Sequence, residues 1–251
     1  MTETFVGLDP GWIASNVEIG GATPQDVAFA GFIGTGQMSR NARWSLDWGT
    51  NSGPSSIVVK IPSADETVRN ISFEHGIYQK ECAFYRSVKA LTDVAAPELI
   101  ALHVATDDFC LVLEDLAGSR QGDQFTEATD EQLALAIDQA AALHAPVWGA
   151  VDQPVFDPFR DDPEERAAEA GERMAFFHAV VQERLGAGLD ADVADLLAAF
   201  VERAPRYVGR VTPVTLVHGD FRPDNFLFGV DAAAPPIMVV DWQTLLSLIH
   251  I

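Results

Sequence analysis

Polar residues near the end of the chain have the types and spacing of a phosphoryl-transfer site. One strand-like apolar run leads into His218-Gly219-Asp220, a second ends at Asp241, and Asn225 lies between them. One aspartate can accept the proton of an attacking hydroxyl group, while the asparagine and the other aspartate can hold Mg²⁺ against nucleotide phosphates. Two buried strands joined by an acidic hairpin are the alternative interpretation of this pattern.

This stretch resembles the catalytic core of the protein-kinase-like fold in its aminoglycoside phosphotransferase form. Protein kinases carry H-R-D-x-x-x-x-N and later D-F-G, whereas this chain has H-G-D-x-x-x-x-N and later D-W-Q. Gly219 in place of the arginine, and Trp242-Gln243 in place of Phe-Gly, are usual in small-molecule kinases similar to aminoglycoside phosphotransferases, choline kinases and ecdysteroid-kinase-like enzymes. The resemblance argues against a protein kinase switched by activation-loop phosphorylation.

The resemblance also implies roles for these residues. Asp220 would orient the acceptor hydroxyl and take its proton, and Asn225 and Asp241 would bind Mg²⁺. Arg222 stands two residues beyond the base, where many protein kinases have a lysine. It would either stabilise the transferring phosphoryl group or only form a salt bridge with Asp224.

A lysine lies inside the apolar run Ser55–Pro62, which predicts a strand with one charge in it. Lys60 matches the lysine that binds the α- and β-phosphates in the V-A-I-K motif of kinases, and a surface lysine on an edge strand is the alternative. Residues 66–89 are rich in helix formers. The E-x-x-F-Y pattern that starts at Glu81 resembles the family's helix whose glutamate pairs with this lysine, and Glu74 is the competing candidate.

Two further segments are assigned to the nucleotide by the resemblance. The run Val27–Trp48 predicts a hairpin with a glycine-rich turn, in which Gly34 and Gly36 would let backbone amides approach phosphate oxygens. An ordinary tight β-turn is the alternative. Glu114 and Leu116 follow a predicted strand pair, at the place of the family's hinge, whose backbone reads the adenine edge. An ordinary strand-to-loop exit is the alternative here.

Composition narrows the classes of partner. The chain has 251 residues, 48% of them hydrophobic, and 37 acidic against 16 basic residues give a formal charge of -21. This surface disfavours nucleic acid and anionic membranes as partners, and it either attracts a cationic substrate or only keeps the protein soluble.

Cys82 and Cys110 lack metal-ligand spacing and are interpreted as reduced core residues. The start MTETFVGLD lacks the pattern of a secretory signal, so we expect a cytoplasmic protein.

Helical patterns fill much of the second half. They cover Thr129–His144, Pro163–Leu185 and Leu189–Ala204, with Pro205 expected to end the last helix. In the related kinases such helices usually help to shape the acceptor site. His144 is interpreted as a packing residue.

The implied fold class is α+β: a bilobal protein-kinase-like fold with an antiparallel-sheet N-lobe, one key helix and a mainly helical C-lobe. We expect a nucleotide-binding lobe at residues 1–116 and a catalytic lobe at 117–251. The related kinases continue with further helices after the metal-binding aspartate, so the second lobe is expected to be truncated. The final residues, LSLIHI, resemble a translated sequencing-adapter end.

The predicted function is transfer of the γ-phosphoryl group of ATP or GTP, with Mg²⁺, to a hydroxyl group of a small molecule. The acceptor and the oligomeric state stay open. A catalytically inactive nucleotide-binding module of the same fold is the first alternative. A metal-dependent hydrolase using His218, Asp220 and Asp241 is the second, and it would need a further ligand cluster that the spacing does not provide. His218 is interpreted as structural.

Overall fold

The computed structural model describes residues 5–34, 36–49, 53–160, 162–208 and 215–248. The chain forms two compact units: Met1–Val147 with His218–Leu245, and Trp148–Val217 with Leu246–Ile251. The predicted lobe boundary at residues 116 and 117 lies within the first unit. The division into a nucleotide-binding lobe and a catalytic lobe therefore stays a prediction.

The described residues form ten strands and six α-helices. The strands are β1 Asp26–Ile33, β2 Ser39–Asp47, β3 Ser56–Pro62, β4 Leu99–Val104, β5 Phe109–Glu114, β6 Ser119–Gln121, β7 Thr215–Val217, β8 Phe226–Gly229, β9 Ile237–Val239 and β10 Leu246–Leu248. The α-helices are α1 Pro10–Asn16, α2 Glu66–Glu74, α3 Ile77–Ala83, α4 Asp130–His144, α5 Pro163–Leu185 and α6 Ala191–Val208. Short 3₁₀ turns lie at Val6–Leu8, Lys89–Leu91, Ala145–Val147, Pro154–Phe159, Gly186–Gly188, Pro223–Asn225 and Trp242–Thr244, and a π-helical turn at Phe84–Val88.

A five-stranded antiparallel sheet in the order β1-β2-β3-β5-β4 dominates the first unit. Ile57, Val59 and Ile61 of β3 are fully buried and belong to a core cluster that includes Ile13 of α1. Because successive side chains of a strand point to opposite faces, Lys60 lies on the other face of the sheet. The alternation thus separates the apolar face of β3 from the face that can bind a ligand.

The helix-rich stretch 66–89 is not one helix. Gly76 adopts a left-handed conformation with φ 65° and separates α2 from α3. After α3 the chain widens into the π-helical turn Phe84–Val88. Glycine adopts this φ without the steric cost of a Cβ, so the break is encoded at a single residue. It leaves Glu81 on a short helix of its own.

A three-stranded sheet in the order β6-β8-β9 carries the residues expected to bind metal. Asn225 directly precedes β8, and Asp241 comes two residues after the end of β9. The strands are antiparallel with Phe226 opposite Val239, and the Val240 amide donates to the Asn225 carbonyl at 3.0 Å. Asn225 and Asp241 are therefore carried to the same edge of this sheet. The sequence patterns predicted β9 but not β6 or β8.

The second unit contains α5 and α6, which pack against each other, and a two-stranded ladder of β10 with β7. The expected end of the last helix at Pro205 is wrong, because α6 continues through Pro205 to Val208. In the last turn of a helix, proline removes only one intrahelical hydrogen bond, next to carbonyls that lack helical partners anyway. Of the terminal LSLIHI, Leu246–Leu248 form β10, and residues 249–251 lie outside the described residues.

The helix predicted from Thr129 to His144 is confirmed as α4. The Thr129 side chain accepts from the Gln132 amide, and the Gln132 side chain accepts from the Thr129 amide, which forms a capping box at the start of the helix. Among the helices described, none is long and apolar enough to cross a membrane.

Candidate active site

Lys60 is the centre of a buried charge cluster in the first unit. Its Nζ lies 2.8 Å from Glu81 Oε1, 2.7 Å from Glu81 Oε2 and 2.6 Å from Asp241 Oδ1. Lys60 is 5% exposed and Glu81 is 1% exposed. Of the two glutamates considered from the sequence, Glu81 and not Glu74 is therefore the residue that contacts the lysine.

The environment keeps the lysine charged. Burial alone would lower the pKa of Lys60, but the charges of Asp241 and Glu81 outweigh it and raise the pKa above its ordinary value. Burial raises the pKa of Glu81, and the neighbouring ammonium offsets only part of this rise. Burial would also raise the pKa of Asp241, but Lys60 outweighs it and holds the pKa below its ordinary value. One ammonium thus faces two carboxylates, and the excess negative charge favours the binding of another cation.

Asp241 is held in a rare backbone conformation. Its φ of 71° and ψ of 57° are left-handed, and of the described non-glycine residues only Asp241 has a positive φ. Gln243 Nε2 donates to Asp241 Oδ2 at 3.0 Å. The next residue, Trp242, is fully buried, and its indole donates to the Val239 carbonyl at 3.1 Å. These contacts fix the direction of the Asp241 side chain.

Asp220 lies on a loop that Asn225 closes. Asn225 Nδ2 donates to the Asp220 carbonyl at 2.8 Å and to Asp220 Oδ2 at 2.9 Å. Since the amide group is used in this way, the Asn225 side-chain oxygen is the atom left for a ligand. The Asp220 side chain is 37% exposed, so its carboxylate remains accessible to a substrate.

Arg222 contacts the expected base rather than Asp224, the partner considered from the sequence. Its Nε lies 3.2 Å from Asp220 Oδ2, and its Nη1 donates to Gln124 Oε1 at 3.3 Å. The side chain is 46% exposed. A guanidinium in this position can orient the Asp220 carboxylate or move towards an anion nearby.

His218 stabilises the loop that carries Asp220. Its Nε2 lies 3.0 Å from the Val240 carbonyl, and its Nδ1 accepts from the Asp220 amide at 3.3 Å. A carbonyl can only accept and an amide N–H can only donate, so the ring is neutral with its proton on Nε2. Burial lowers the pKa of His218, which favours the same state. The imidazole ties the Asp220 loop to the strand end before Asp241 and has no nitrogen left for proton transfer.

Gly219 explains the difference from the H-R-D pattern. Its φ is +82°, and a Cβ at this position would lie 2.2 Å from the Thr244 carbonyl oxygen. The Thr244 hydroxyl also donates to the His218 carbonyl at 2.8 Å. Because the segment after Asp241 packs directly on the loop, only glycine fits between His218 and Asp220.

The ten residues that the sequence analysis assigns to catalysis, nucleotide binding or metal binding lie around one cleft of about 880 Å³ in the first unit. Its lining includes Gly34, Gly36, Lys60, Glu81, Glu114, Leu116, Asp220, Arg222, Asn225 and Asp241. The Glu114 carboxylate accepts from the Glu98 amide at 3.0 Å, and the Glu114 amide donates to the Glu98 carbonyl at 3.0 Å. Thr35, between the two glycines, lies outside the described residues. The functional roles of these side chains stay predictions.

Sequence reasoning missed Asp115. Its side chain is only 4% exposed, and it forms an ion pair with Arg43 and accepts a hydrogen bond from Ser56. The three residues lie on different segments, and neither their spacing nor the common Glu-Asp-Leu triplet gave a signal.

The available donors suit a hard cation. Asn225 and Asp241 offer oxygen atoms at one sheet edge, and oxygen is the ligand that Mg²⁺ prefers. Over the described part of the chain, no group of three or more His, Cys, Asp or Glu side chains is placed to hold a metal ion. Cys82 and Cys110 are buried free thiols, and burial raises the pKa of Cys82 to about 12.

The fold is protein-kinase-like, and comparison with known proteins identifies the family. Residues 39–247 match the profile of the phosphotransferase enzyme family (APH), so the chain belongs to this family. The structure of APH(2")-IIia in complex with GDP and kanamycin matches with a TM-score of 0.51 and 17% identity, over 90% of this chain and 69% of that one. It supports the α+β kinase-like fold expected from the sequence. A search of curated proteins gave no significant match.

Proposed function

We propose that the protein transfers the γ-phosphoryl group of ATP or GTP to a hydroxyl group of a small molecule. The observation that carries this proposal is the contact of Lys60 with both Glu81 and Asp241, in the cleft that Asp220 also lines. Phosphoryl transfer needs positioning and charge neutralisation more than covalent chemistry from the protein. A fixed lysine, two oxygen donors and an accessible carboxylate supply these functions.

The nucleotide would lie along the sheet face that carries Lys60. The ammonium would neutralise the α- and β-phosphates while Glu81 holds its position. Backbone amides at Gly34 and Gly36 would cover the phosphates, and backbone groups from Glu114 to Leu116 would bind the base. Each of these residues lines the cleft, which supports the assignment.

At the other end of the nucleotide, Asp220 would orient the acceptor hydroxyl and take its proton. Asn225 and Asp241 would hold Mg²⁺, which would supply positive charge against the charge that develops on the phosphates. Asn225 already orients the Asp220 carboxylate through its amide. Arg222 would leave Asp220 for the transferring phosphoryl group, since a guanidinium binds phosphate as well as carboxylate.

The acceptor is proposed to be an alcohol of low molecular weight. The matched APH(2")-IIia structure contains kanamycin, and the charge of -21 would concentrate a cationic acceptor near the protein. The same charge disfavours nucleic acid and anionic membranes as partners. We place the reaction in the cytoplasm, where nucleoside triphosphates are available.

Two measurements test the proposal. Thermal stability is first measured with ATP or GTP, with and without Mg²⁺; a Mg²⁺-dependent rise is expected. The protein is then incubated with Mg²⁺ and nucleotide against a panel of hydroxylated acceptors, and phosphorylated products are detected by mass spectrometry. Stabilisation without any product would favour the inactive nucleotide-binding module. No stabilisation by either nucleotide would contradict the proposal itself.

A further inference from the structure

Asp115 is a buried carboxylate that the proposed mechanism does not use. It accepts from Arg43 Nε at 2.7 Å, from Arg43 Nη2 at 3.0 Å and from the Ser56 hydroxyl at 2.6 Å. Arg43 belongs to β2, Ser56 begins β3, and Asp115 follows the last residue of β5. One carboxylate therefore connects the segment 114–116 to two neighbouring strands of the sheet.

Arg43 lies on the sheet face that carries Lys60. It pairs with Val58, two residues before Lys60, whose own partner on β2 is Asn41. Residues two apart on a strand share a face, so the alternation places both cations on one side of the sheet. Arg43, Lys60 and Asp115 all line the cleft, and the Arg43 side chain is 36% exposed. Its guanidinium is thus accessible to a ligand at the hinge end of the cleft.

The ion pair leaves one edge of the guanidinium unused. Asp115 binds the edge formed by Nε and Nη2, and Nη1 has no hydrogen-bond partner within the described part of the chain. The group is planar and rigid, so anchoring one edge fixes the direction of the other. Two parallel N–H donors, one from Nη1 and one from Nη2, therefore point away from Asp115.

We propose that Asp115 is a positioning residue that aims this outer edge of Arg43 at the nucleobase. Two parallel donors match two adjacent acceptors, and guanine offers its O6 and N7 in this way. Adenine offers N7 beside an N6 amino group, which is itself a donor. The Asp115–Arg43 pair therefore favours guanine nucleotides over adenine nucleotides. This inference rests on the proposed function, because it places a nucleoside triphosphate in the cleft.

The test compares purine selectivity in matched variants. Dissociation constants and steady-state kinetics with GTP and ATP are measured for the wild type, Arg43→Met, Arg43→Lys and Asp115→Asn. Each variant should lower the GTP-to-ATP ratio of kcat/KM at least about fivefold, mainly through KM, since an ordered bidentate contact is lost. Arg43→Lys should behave like Arg43→Met, because an ammonium retains the charge but not the two parallel N–H donors.

Arg40→Met is the control for removing a cation from β2. Arg40 lies three residues before Arg43, hence on the opposite face, where its guanidinium stacks over Phe32 at 3.5 Å. Its GTP-to-ATP ratio should equal that of the wild type. An unchanged ratio in Arg43→Met, or equal weakening of both nucleotides, would overturn the inference even if Asp115→Asn fails to fold. Wild-type protein that binds neither nucleotide would instead refute the proposed function on which the inference rests.

Discussion

Phe84 and Trp242 stack face to face, with ring centroids 3.8 Å apart and planes inclined by 11°. Phe84 follows the helix that carries Glu81, and Trp242 follows Asp241 directly. The two segments whose carboxylates contact Lys60 therefore also contact each other through an aromatic pair. This arrangement makes the geometry of the charge cluster depend on packing a few ångströms away from it.

The first prediction concerns this stack. Trp242→Ala should lower the free energy of unfolding by about 3–5 kcal/mol, because it removes a fully buried ring, and should weaken nucleotide binding. Trp242→Phe should retain most of both properties. Urea unfolding and nucleotide titration would measure them. As a control, Trp148→Ala should have a small effect because Trp148 is 45% exposed. Normal nucleotide affinity in Trp242→Ala would show that the stack does not position Asp241.

The second prediction is for Lys60→Met. Removing the ammonium leaves Glu81 and Asp241 without a counter-ion, so the free energy of unfolding near pH 7 should fall by about 3 kcal/mol. The stabilisation by Mg²⁺ and nucleotide should be lost. Lys89→Met, whose partner Glu98 has a 75% exposed side chain, is the control and should change stability by at most about 1 kcal/mol.

The same variant makes a prediction about pH. The folded-state pKa of Asp241 is lowered, so its contribution to wild-type stability is present above the ordinary value of 3.8 and is lost as the pH falls through the folded pKa. In Lys60→Met both carboxylates gain from protonation at low pH. The stability difference between the two proteins should therefore be largest near neutral pH and shrink towards pH 4. A difference that grows towards acid pH would contradict the charge cluster.

Much of this cluster was predictable from local patterns. Lys60 interrupts an apolar strand, and Glu81, Asp220, Asn225 and Asp241 stand at motif spacings. The link between Arg43 and Asp115 was not predictable in this way, because it joins residues 72 positions apart and depends on strand register.

Local chain geometry produced the other differences. The helix break needed only one left-handed glycine, Gly76, within a stretch otherwise rich in helix formers. Pro205 was expected to stop a helix, yet near a helix end it costs little. The strand β8 is short and directly follows the Asp220 loop. Its residues were therefore interpreted as part of the motif, and its pairing with β9 was not predicted.

His218 gives a prediction about acid stability. Burial lowers its folded-state pKa below the ordinary 6.5, so its stabilising contribution is present above that value and lost as the pH falls through the folded pKa. The stability difference between the wild type and His218→Gln should thus be largest above pH 6.5 and narrow towards pH 5 in urea unfolding. The exposed His75, changed to glutamine, is the control for replacing a histidine and should change stability by less than about 0.5 kcal/mol.

Gly219 and Gly76 form a matched pair for testing the loop. Both have positive φ, but a Cβ on Gly219 would meet the Thr244 carbonyl oxygen at 2.2 Å, whereas nothing lies within 4 Å of one on Gly76. Gly76→Ala should cost about 1–2 kcal/mol from backbone strain alone. Gly219→Ala should cost clearly more in thermal or urea unfolding and should lower turnover by displacing Asp220. Equal costs for the two substitutions would mean that the contact with Thr244 is not tight in solution.

The most direct measurement is phosphoryl transfer by wild-type protein and Asp220→Asn, at saturating Mg²⁺ and nucleotide, with an acceptor found in the panel. Nucleotide dissociation constants are measured alongside. The variant should lose about 10²–10⁴-fold in kcat, while its nucleotide affinity stays within about twofold of wild type, because Asp220 would act on the acceptor hydroxyl. A variant that transfers phosphate at nearly the wild-type rate would contradict the assignment of Asp220, and with it the proposed site.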